Sequence, residues 1–317
     1  MKVVVTDYTF PALDQEAAAA QAAGARFSSF QCKSAEEVAS AVAGADVAVV
    51  QFATFGPAAA AAVNPGATVI RYGVGYNNID IAACAQHGLK VGYVPDYCAD
   101  EVADHTAAAA LILLRKLVPM DQSVRAGEWA AVKIAKPMKP FNKTNFGFFG
   151  LGNIGRAVHA RLQGFGFQFL AADPGLTESQ ASAMGVRKVT PETLLAEADI
   201  ISLHAPATAE TTEFFNATRL KTMQPHAMLV NSARGQLINE ADLAQALTAG
   251  TIAAAALDVF HVEPLPADNP LREAPNLLLT PHAAWYSEAA IYQLQHLVAG
   301  DITRALAGQG PRKPVPN

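Results

Sequence analysis

The stretch NFGFFGLGNIGRA, from Asn145 to Ala157, joins an apolar run to a helix-like pattern through closely spaced glycines. These follow the pattern G-x-G-x-x-G at Gly150, Gly152 and Gly155. The first suits a tight turn, the second lets a pyrophosphate approach the backbone, and the third lets the helix pack on its strand. The N–H groups of a helix N-terminus also favour an anion there. The pattern predicts a dinucleotide-binding turn, with a ligand-free glycine-rich turn as the alternative.

The acidic residue Asp173 extends this prediction, because it follows the next strand-like run, Gln168–Ala172. A carboxylate at the end of that strand accepts hydrogen bonds from the hydroxyls of the adenine ribose. Its charge would repel a 2′-phosphate. The sequence therefore favours NAD over NADP as the cofactor.

Short apolar runs alternate with alanine-rich, helix-like segments on both sides of the glycine-rich turn. Apolar strands separated by helices are typical of a parallel, doubly wound α/β sheet. In the first part of the chain we expect strands at Val3–Thr6, Arg26–Phe30, Val47–Phe52, Val69–Tyr72 and Lys90–Tyr93. In the second part we expect them at Phe146–Phe149, Gln168–Ala172, Ile200–Leu203, Met228–Asn231, Ala254–Leu257 and Leu277–Thr280.

The segment VPDYCADEVADHT, Val94–Thr106, interrupts this alternation with a proline and several acidic residues. It is either an ordinary helix start with Asp100 as the N-cap or a hinge between domains. A chain of 317 residues has room for about two domains. A final helix from about Ser287 to Ala307 is expected to pack back on the first domain, and the stretch PRKPVP after it is expected to fray.

The composition excludes several classes of function. A net charge of −5 gives no general attraction for nucleic acid or anionic membranes. No apolar run is long enough for a membrane span, and the first residues lack a signal-peptide core. The three cysteines form no C-x-x-C pair, and the histidines lack metal-ligand spacing. We expect a cytoplasmic protein without a metal site.

Three predicted strands are followed by residues that suit hydride transfer to a 2-keto acid. Arg234 lies in NSARGQ after one strand, Glu263 lies in HVEPLP after the next, and His282 follows the last. Ligands bind at the carboxyl ends of the strands in open α/β sheets, so these side chains are expected to converge. Each also has an ordinary interpretation, as a surface pair, a solvated carboxylate or a core histidine.

The chemistry assigns each side chain a role. Arginine binds a carboxylate through two hydrogen bonds, which would anchor the substrate. Histidine exchanges a proton near neutrality and can protonate the carbonyl oxygen. A carboxylate next to it holds the ring in one orientation. We therefore predict Arg234 as the anchor, Glu263 as the orienting group and His282 as the acid/base.

The sequence resembles the D-isomer-specific 2-hydroxyacid dehydrogenase family over nearly its whole length. The matching motifs are RYGVGYNNID (Arg71–Asp80), EVADHT, FGLGNIGR, LHAP (Leu203–Pro206), NSARG (Asn231–Gly235), LDVF..EP (Leu257–Pro264) and TPH (Thr280–His282). The resemblance implies two doubly wound parallel-sheet domains that flank a cleft. A flavodoxin-like substrate domain would comprise residues 1–98 and 286–317, and a Rossmann NAD domain would comprise residues 99–285.

The resemblance also assigns site residues. It supports the same catalytic Arg234, Glu263 and His282. The implied NAD contacts are Gly150, Gly152, Asn153, Ile154, Gly155, Asp173, His204, Ala205, Pro206, Thr211, Ser232, Ala233 and Asp258. The resemblance also implies a contact from Thr106. The implied substrate contacts are Arg71, Gly73, Val74 and Gly75. The helix from about Ala103 resembles the family's dimerisation helix, so a homodimer is expected, with a buried amphipathic helix as the alternative.

The sequence after the predicted acid/base departs from the common family pattern of small residues. HAAWYSE, His282–Glu288, resembles the branch of the C-terminal-binding proteins, which are corepressors that retain dehydrogenase machinery. In that branch the tryptophan lines the substrate pocket, so Trp285 either selects an apolar or thioether-like tail or packs at the hinge. Two functions remain: a 2-keto acid reductase, or an NAD(H)-sensing binding protein with little turnover.

Overall fold

A computed structural model describes residues 1–316 of the chain, which divides into two compact units. The first unit comprises Met1–Cys98 together with the stretch that begins at Tyr286. The second unit comprises Ala99–Trp285. The second unit is thus continuous in sequence, whereas the first is assembled from both ends of the chain.

The first unit contains a five-stranded parallel sheet with the order β2-β1-β3-β4-β5, which is the flavodoxin-like order. Its strands are β1 (Lys2–Val5), β2 (Arg26–Ser29), β3 (Val47–Val50), β4 (Thr68–Arg71) and β5 (Lys90–Tyr93). Its helices are α1 (Asp14–Ala22), α2 (Ala35–Ala41), α3 (Pro57–Ala62), α4 (Ile81–Gln86) and the C-terminal α13 (Glu288–Leu306).

The second unit contains a seven-stranded parallel sheet with the order β12-β11-β10-β9-β6-β7-β8. Its strands are β6 (Asn145–Phe149), β7 (Gln168–Ala172), β8 (Val186–Lys188), β9 (Ile200–Leu203), β10 (Met228–Asn231), β11 (Ala254–Leu257) and β12 (Leu277–Leu279). Its helices are α5 (Ala99–Leu114), α6 (Leu117–Arg125), α7 (Ala131–Ala135), α8 (Asn153–Leu162), α9 (Glu178–Ala183), α10 (Pro191–Glu197), α11 (Ala217–Leu220) and α12 (Glu240–Thr248). The order reverses beside β6, where doubly wound sheets bind dinucleotides.

The expected fold class, two doubly wound parallel-sheet domains, is confirmed. Central strands such as β9, β10 and β11 are buried at every position, because helices cover both faces of a parallel sheet. The last strand, β12, is only half-buried, since it lies at the sheet margin. Strand β8 was not predicted, because its three residues, VRK, form no apolar run.

The start of α5 differs from the expectation. The helix begins at Ala99, so Asp100 lies in its first turn and is not the N-cap. Its carboxylate accepts a 2.8 Å hydrogen bond from Arg161 on α8, and Asp104 pairs with the same guanidinium. The acidic cluster therefore joins two packed helices, which a local capping pattern does not reveal.

The C-terminal stretch is also ordered where fraying was expected. It runs antiparallel to β5, with a bridge between Gly92 and Pro314. The amide of Tyr93 donates to the carbonyl of Lys313 at 3.1 Å, and Val315 donates back to Val91 at 3.0 Å. Gly92 has no room for a side chain, because a Cβ there would lie 2.4 Å from Pro311.

Two properties concern the described residues 1–316 as a whole. Among them, no helix combines the length and apolar character that crossing a bilayer requires. The same residues contain no group of three or more histidine, cysteine or acidic side chains arranged to hold a metal ion. The cytoplasmic location stays a prediction from the sequence.

Candidate active site

The glycine-rich turn between β6 and α8 has the features of a phosphate-binding loop. Gly150 has a φ of +88°, and a Cβ there would lie 2.9 Å from the amide nitrogen of Ala205. A Cβ on Gly155 would lie 3.0 Å from the carbonyl oxygen of Gly150. Gly152 differs, since a Cβ there would meet no protein atom within 4 Å. The loop is therefore packed at two glycines and open at the one expected to face a pyrophosphate.

The N-terminus of α8 provides the anion-binding groups. Gly152 is its N-cap residue and supplies no side-chain cap, so the first amides of the helix keep their donor capacity. Asp173, at the end of β7, accepts hydrogen bonds from the amides of Leu151 at 2.6 Å and Gly175 at 2.7 Å. These bonds bring the carboxylate to the glycine-rich turn. The residues present thus fit a dinucleotide.

Other predicted cofactor residues stabilise the loops around this turn. His204 contacts Ser202 Oγ through Nε2 at 2.9 Å, and burial lowers the pKa of His204 to about 3, which keeps the ring neutral. The Thr211 hydroxyl donates to the carbonyl of Pro206 at 2.7 Å. The hydroxyls of Thr106 and Ser232 lie 2.5 Å apart. Contacts of these residues with a cofactor stay predictions.

The turn that carries Arg234 is held by Asn231, a residue that the sequence analysis did not single out. Asn231 is 1% exposed at the end of β10. Its amide group donates to the carbonyl of Arg234 at 2.8 Å and accepts from the amide of Ala233 at 3.0 Å. A polar residue that ends an otherwise apolar buried strand was the available signal.

Gly235 joins this turn to the loop after β11. A Cβ on Gly235 would lie 2.0 Å from the carbonyl carbon of Phe260, so a side chain would force the two backbones apart. The Phe260 amide in turn donates to Glu263 Oε1 at 2.9 Å. Close packing at one glycine therefore brings the Arg234 and Glu263 loops together, another feature that sequence reasoning missed.

The predicted acid/base and its partner are in direct contact. His282 Nδ1 lies 2.6 Å from Glu263 Oε2, and both side chains are about one-third exposed, at 37% and 32%. Burial opposes ionisation of Glu263, but the hydrogen bond and charge of His282, the Phe260 amide and the charge of Arg234 together lower its pKa. Glu263 is therefore a carboxylate that accepts from Nδ1. The three predicted catalytic residues form one electrostatic group.

Asp258 determines the conformation of the turn that presents His282. This carboxylate is 3% exposed, and it accepts hydrogen bonds from the amides of Ala283 and Ala284, both at 2.9 Å, and from the Thr280 hydroxyl at 2.6 Å. His282 itself has a φ of +53°, in the left-handed region that few side chains adopt. The Asp258 bonds on both sides of it hold this conformation.

A histidine from α5 extends the same network. His105 Nε2 lies 3.2 Å from the Thr280 hydroxyl and 3.9 Å from Asp258 Oδ1. A small cavity of about 10 Å³ is lined by His105, Ser232, Asp258 and Thr280 among others. The ends of β10, β11 and β12 thus meet around a compact polar cluster within the second unit.

The first unit carries the other predicted substrate residues. Arg71 ends β4, and its guanidinium lies over the ring of Phe52, 5.9 Å from the ring centre. Gly73 has a φ of +134°, and a Cβ there would lie 2.0 Å from Arg71 Nη1. Phe52 is 46% exposed after β3 and was not singled out, although it ends a predicted strand. Gly73 therefore makes room for the Arg71 side chain.

Comparison with known proteins identifies the family. Residues 107–284 match the model of the D-isomer specific 2-hydroxyacid dehydrogenase NAD binding domain. A glyoxylate reductase from Korarchaeum cryptofilum is 36% identical over 245 residues, which is 77% of this chain and 74% of that protein. The chain belongs to the D-isomer specific 2-hydroxyacid dehydrogenase family. It is an NAD-dependent oxidoreductase, as expected from the sequence.

Two further relatives show the range of this family. A D-3-phosphoglycerate dehydrogenase from Archaeoglobus fulgidus is 37% identical over 77% of this chain, a match that covers 46% of that longer protein. The structure of a D-lactate dehydrogenase with NAD⁺ from Lactobacillus jensenii superimposes with a TM-score of 0.77, 26% identity and full coverage of both chains. NAD is thus the cofactor of this 2-hydroxyacid dehydrogenase, for which the glycine-rich turn and Asp173 are suited.

Proposed function

We propose that this 2-hydroxyacid dehydrogenase reduces small 2-keto acids with NADH and that His282 is the proton donor. The 2.6 Å contact between His282 Nδ1 and Glu263 Oε2 carries this proposal. It is the arrangement of a general acid whose ring is oriented by a carboxylate. The family shows the class of reaction, and the contact supports the assignment of the acid.

Each catalytic residue has one task in this mechanism. Glu263 accepts a hydrogen bond from the Nδ1–H group of His282, so Nε2 is the ring nitrogen that exchanges a proton with the substrate oxygen. Arg234 binds the substrate carboxylate through paired hydrogen bonds and polarises the neighbouring carbonyl. Bound NADH supplies the hydride. The product is the corresponding 2-hydroxy acid, and His282 is left to recover a proton from water.

The second unit, residues 99–285, is proposed as the NAD-binding domain. The amides at the start of α8 would hold the diphosphate, and Asp173 would accept from the ribose hydroxyls. The remaining proposed cofactor contacts are Gly150, Gly152, Asn153, Ile154, Gly155, His204, Ala205, Pro206, Thr211, Ser232, Ala233 and Asp258. The first unit is proposed as the substrate-binding domain, with contacts from Arg71, Gly73, Val74 and Gly75.

Trp285 is the proposed determinant of the substrate side chain. It is half-buried and follows the Asp258-bound turn directly. The glyoxylate reductase named above makes glyoxylate the first substrate to test, with hydroxypyruvate and longer keto acids beside it. We expect Trp285→Ala to change the ranking of these substrates. An equal loss for all of them would indicate a packing role.

The decisive experiment combines a substrate panel with a variant of the acid. NADH oxidation is measured with glyoxylate, hydroxypyruvate and larger keto acids, and NADH binding is measured separately by fluorescence. We expect His282→Asn to lower kcat by about 10²- to 10⁴-fold with an unchanged Kd for NADH. Asparagine is chosen because it tolerates the left-handed backbone at this position. Loss of turnover and NADH binding together would show that His282 is structural.

The alternative function is an NAD(H)-sensing protein of the corepressor type. The sequence HAAWYSE is the feature that favours it. Tight NADH binding without turnover of any keto acid in the panel would support this alternative and contradict the reductase proposal.

A homodimer through α5, the helix that contains Ala103, stays a prediction, and we propose that α6 and α7, which follow α5 in the chain, belong to the same interface. Helix α5 buries seven residues within the second unit, and its Leu111, Ile112 and Leu114 are partly exposed. Five large apolar side chains nearby are exposed, namely Leu117, Val118, Val124, Trp129 and Val132. Exposed apolar clusters of this kind mark protein interfaces, and a second copy of the chain is the proposed occupant. Sedimentation of Trp129→Asp, compared with the original protein, should show a monomer; an unchanged dimer would contradict this surface.

A further inference from the structure

A buried tyrosine lies directly between two of the proposed substrate residues. Tyr72 follows Arg71 and precedes Gly73, and it is 1% exposed. Its ring meets Phe10 edge-on, with 5.1 Å between the ring centres. The amide of Tyr72 donates to the carbonyl of Val50 at 2.8 Å, which ties it to the neighbouring strand. The side chain thus points into the core, whereas the preceding Arg71 is partly exposed.

The Tyr72 hydroxyl ends on a buried carboxylate. It donates to Glu16 Oε1 at 2.6 Å, and Glu16 on α1 is fully buried. Burial, and then the nearby Glu16, raise the pKa of Tyr72 well above its usual value, so the phenol keeps its proton and acts as the donor. Without this acceptor, the buried hydroxyl would be unpaired, and its desolvation would not be compensated by a hydrogen bond. The contact therefore defines the position of the tyrosine closely.

The C-terminal helix completes this cluster. Gln295 on α13 places Nε2 3.3 Å from Glu16 Oε2 and donates to the carbonyl of Ala12 at 2.8 Å. The amide thus connects α13 to the carboxylate that holds Tyr72. Two helices and the end of β4 meet at these polar groups in the core of the first unit.

The segment after Tyr72 has a conformation that needs such support. It is a loop without regular hydrogen bonding from residue 72 to residue 76, and Gly73 adopts a φ of +134°. The amide of Gly73 donates a hydrogen bond to the carbonyl of Arg71 at 2.9 Å, and the amide of Val94 donates to the carbonyl of Gly73 at 3.0 Å. A shift of Tyr72 would move both the Arg71 side chain and the amides that follow.

We propose that Tyr72, held by Glu16 and Gln295, is a positioning residue that maintains the Arg71–Gly75 loop in the conformation that receives the substrate. This inference rests on the proposed reductase function. Tyr72 does not itself touch the substrate. It acts through the backbone of the loop, so its effect falls on substrate binding and spares both the proton donor and the NAD site.

The test removes only the hydroxyl. Tyr72→Phe should raise the KM for glyoxylate at least fivefold, change kcat less than twofold and leave the Kd for NADH unchanged. Glu16→Gln retains an acceptor oxygen for the hydroxyl and should keep KM within twofold of the original. Hydrogen exchange at the amides of residues 73–75 should be at least tenfold faster in Tyr72→Phe, which provides a readout independent of turnover.

Asn64→Ala is the matched control. Asn64 bonds to Gly44 and Asp46 at the opposite end of the same sheet, at 3.1 and 2.9 Å, so its loss lowers stability without touching the loop. An unchanged KM in Tyr72→Phe, or an equal rise in Asn64→Ala, would overturn the proposal. If the unaltered protein reduces no keto acid, the proposed function fails, and unchanged exchange at residues 73–75 would then separately overturn the positioning role.

Discussion

Two buried aspartates lie at opposite ends of the strands in the seven-stranded sheet. Asp258 follows β11 at the carboxyl end and is 3% exposed, and Asp199 precedes β9 at the amino end and is 5% exposed. Asp258 accepts from two backbone amides and a hydroxyl. Asp199 accepts from Lys139 Nζ at 2.7 Å, from His226 Nε2 at 2.5 Å and from the amide of Asn145 at 2.8 Å.

The difference lies in what each carboxylate holds in place. The donors to Asp258 all belong to the turn of residues 280–284, so this carboxylate shapes the segment that carries His282. The donors to Asp199 come from three separate segments, two through long or partly exposed side chains. One aspartate therefore defines the geometry of the turn that carries the proposed proton donor, and the other joins loops at the opposite end of the sheet.

The largest expected effect tests this distinction directly. Asp258→Ala leaves the part-buried amide of Ala283 and the buried amide of Ala284 without their acceptor, at about 1–3 kcal/mol for a buried amide, and frees the His282 turn. We expect turnover to fall at least about 100-fold, comparable to loss of the acid itself. Asp199→Ala should lower the melting temperature but leave the kcat of the folded enzyme unchanged. Equal losses of kcat in both variants would contradict the proposed difference between Asp258 and Asp199.

A smaller expected effect concerns the pH dependence of stability, which differs between the carboxyl and amino ends of the seven-stranded sheet. Burial lowers the pKa of His204 from 6.5 to about 3, so unfolding takes up a proton and the free energy of unfolding falls as the pH drops below 6.5. Burial would raise the pKa of Asp199, but Lys139, Asn145 and His226 lower it, so its contribution is lost only below pH 3.8. Urea unfolding between pH 6.5 and 3.8 should show a flatter dependence in His204→Gln. The exposed His87→Gln is the control, and an unchanged slope in His204→Gln would contradict this account.

The smallest expected effect is at the amino end. The Lys139 side chain is 49% exposed, and the buried Asp199 keeps its bonds to His226 and to the Asn145 amide without it, so we expect the pair to contribute about 1 kcal/mol. Lys139→Met should lower the free energy of unfolding by no more than that and leave turnover unchanged. A measurable loss of kcat would mean that the amino end of the sheet also influences the reaction.

The sequence predicted most strands of the second unit closely, because they are apolar at consecutive positions. Gln168–Ala172, Ile200–Leu203, Met228–Asn231 and Ala254–Leu257 match the structure residue for residue. Burial on both faces explains this, since each such strand carries its signal in its own residues. The three-residue β8 lacks that signal and depends on pairing with β7.

Residues of the candidate site could be proposed from the sequence only where the side chain itself has the required reactivity. His282, Glu263 and Arg234 were recognisable by reactivity and by their place after strands. Gly235 and Asp258 act through contacts with segments distant in sequence, and Asn231 acts through bonds within its own turn. Asp258 was expected to contact the cofactor, and its bonds to the His282 turn, more than twenty residues further along the chain, could be found only from the folded backbone.

The C-terminal stretch along β5 has a consequence for self-association. An unpaired outer strand offers its backbone groups to any other chain that can add a strand. The bonds of Lys313 and Val315 to β5, and the paired 2.7 Å hydrogen bonds from Arg312 to Asp96, cover that margin within the molecule. Removal of residues 311–316 would leave β5 open to intermolecular pairing, so aggregation would be the first sign of its loss.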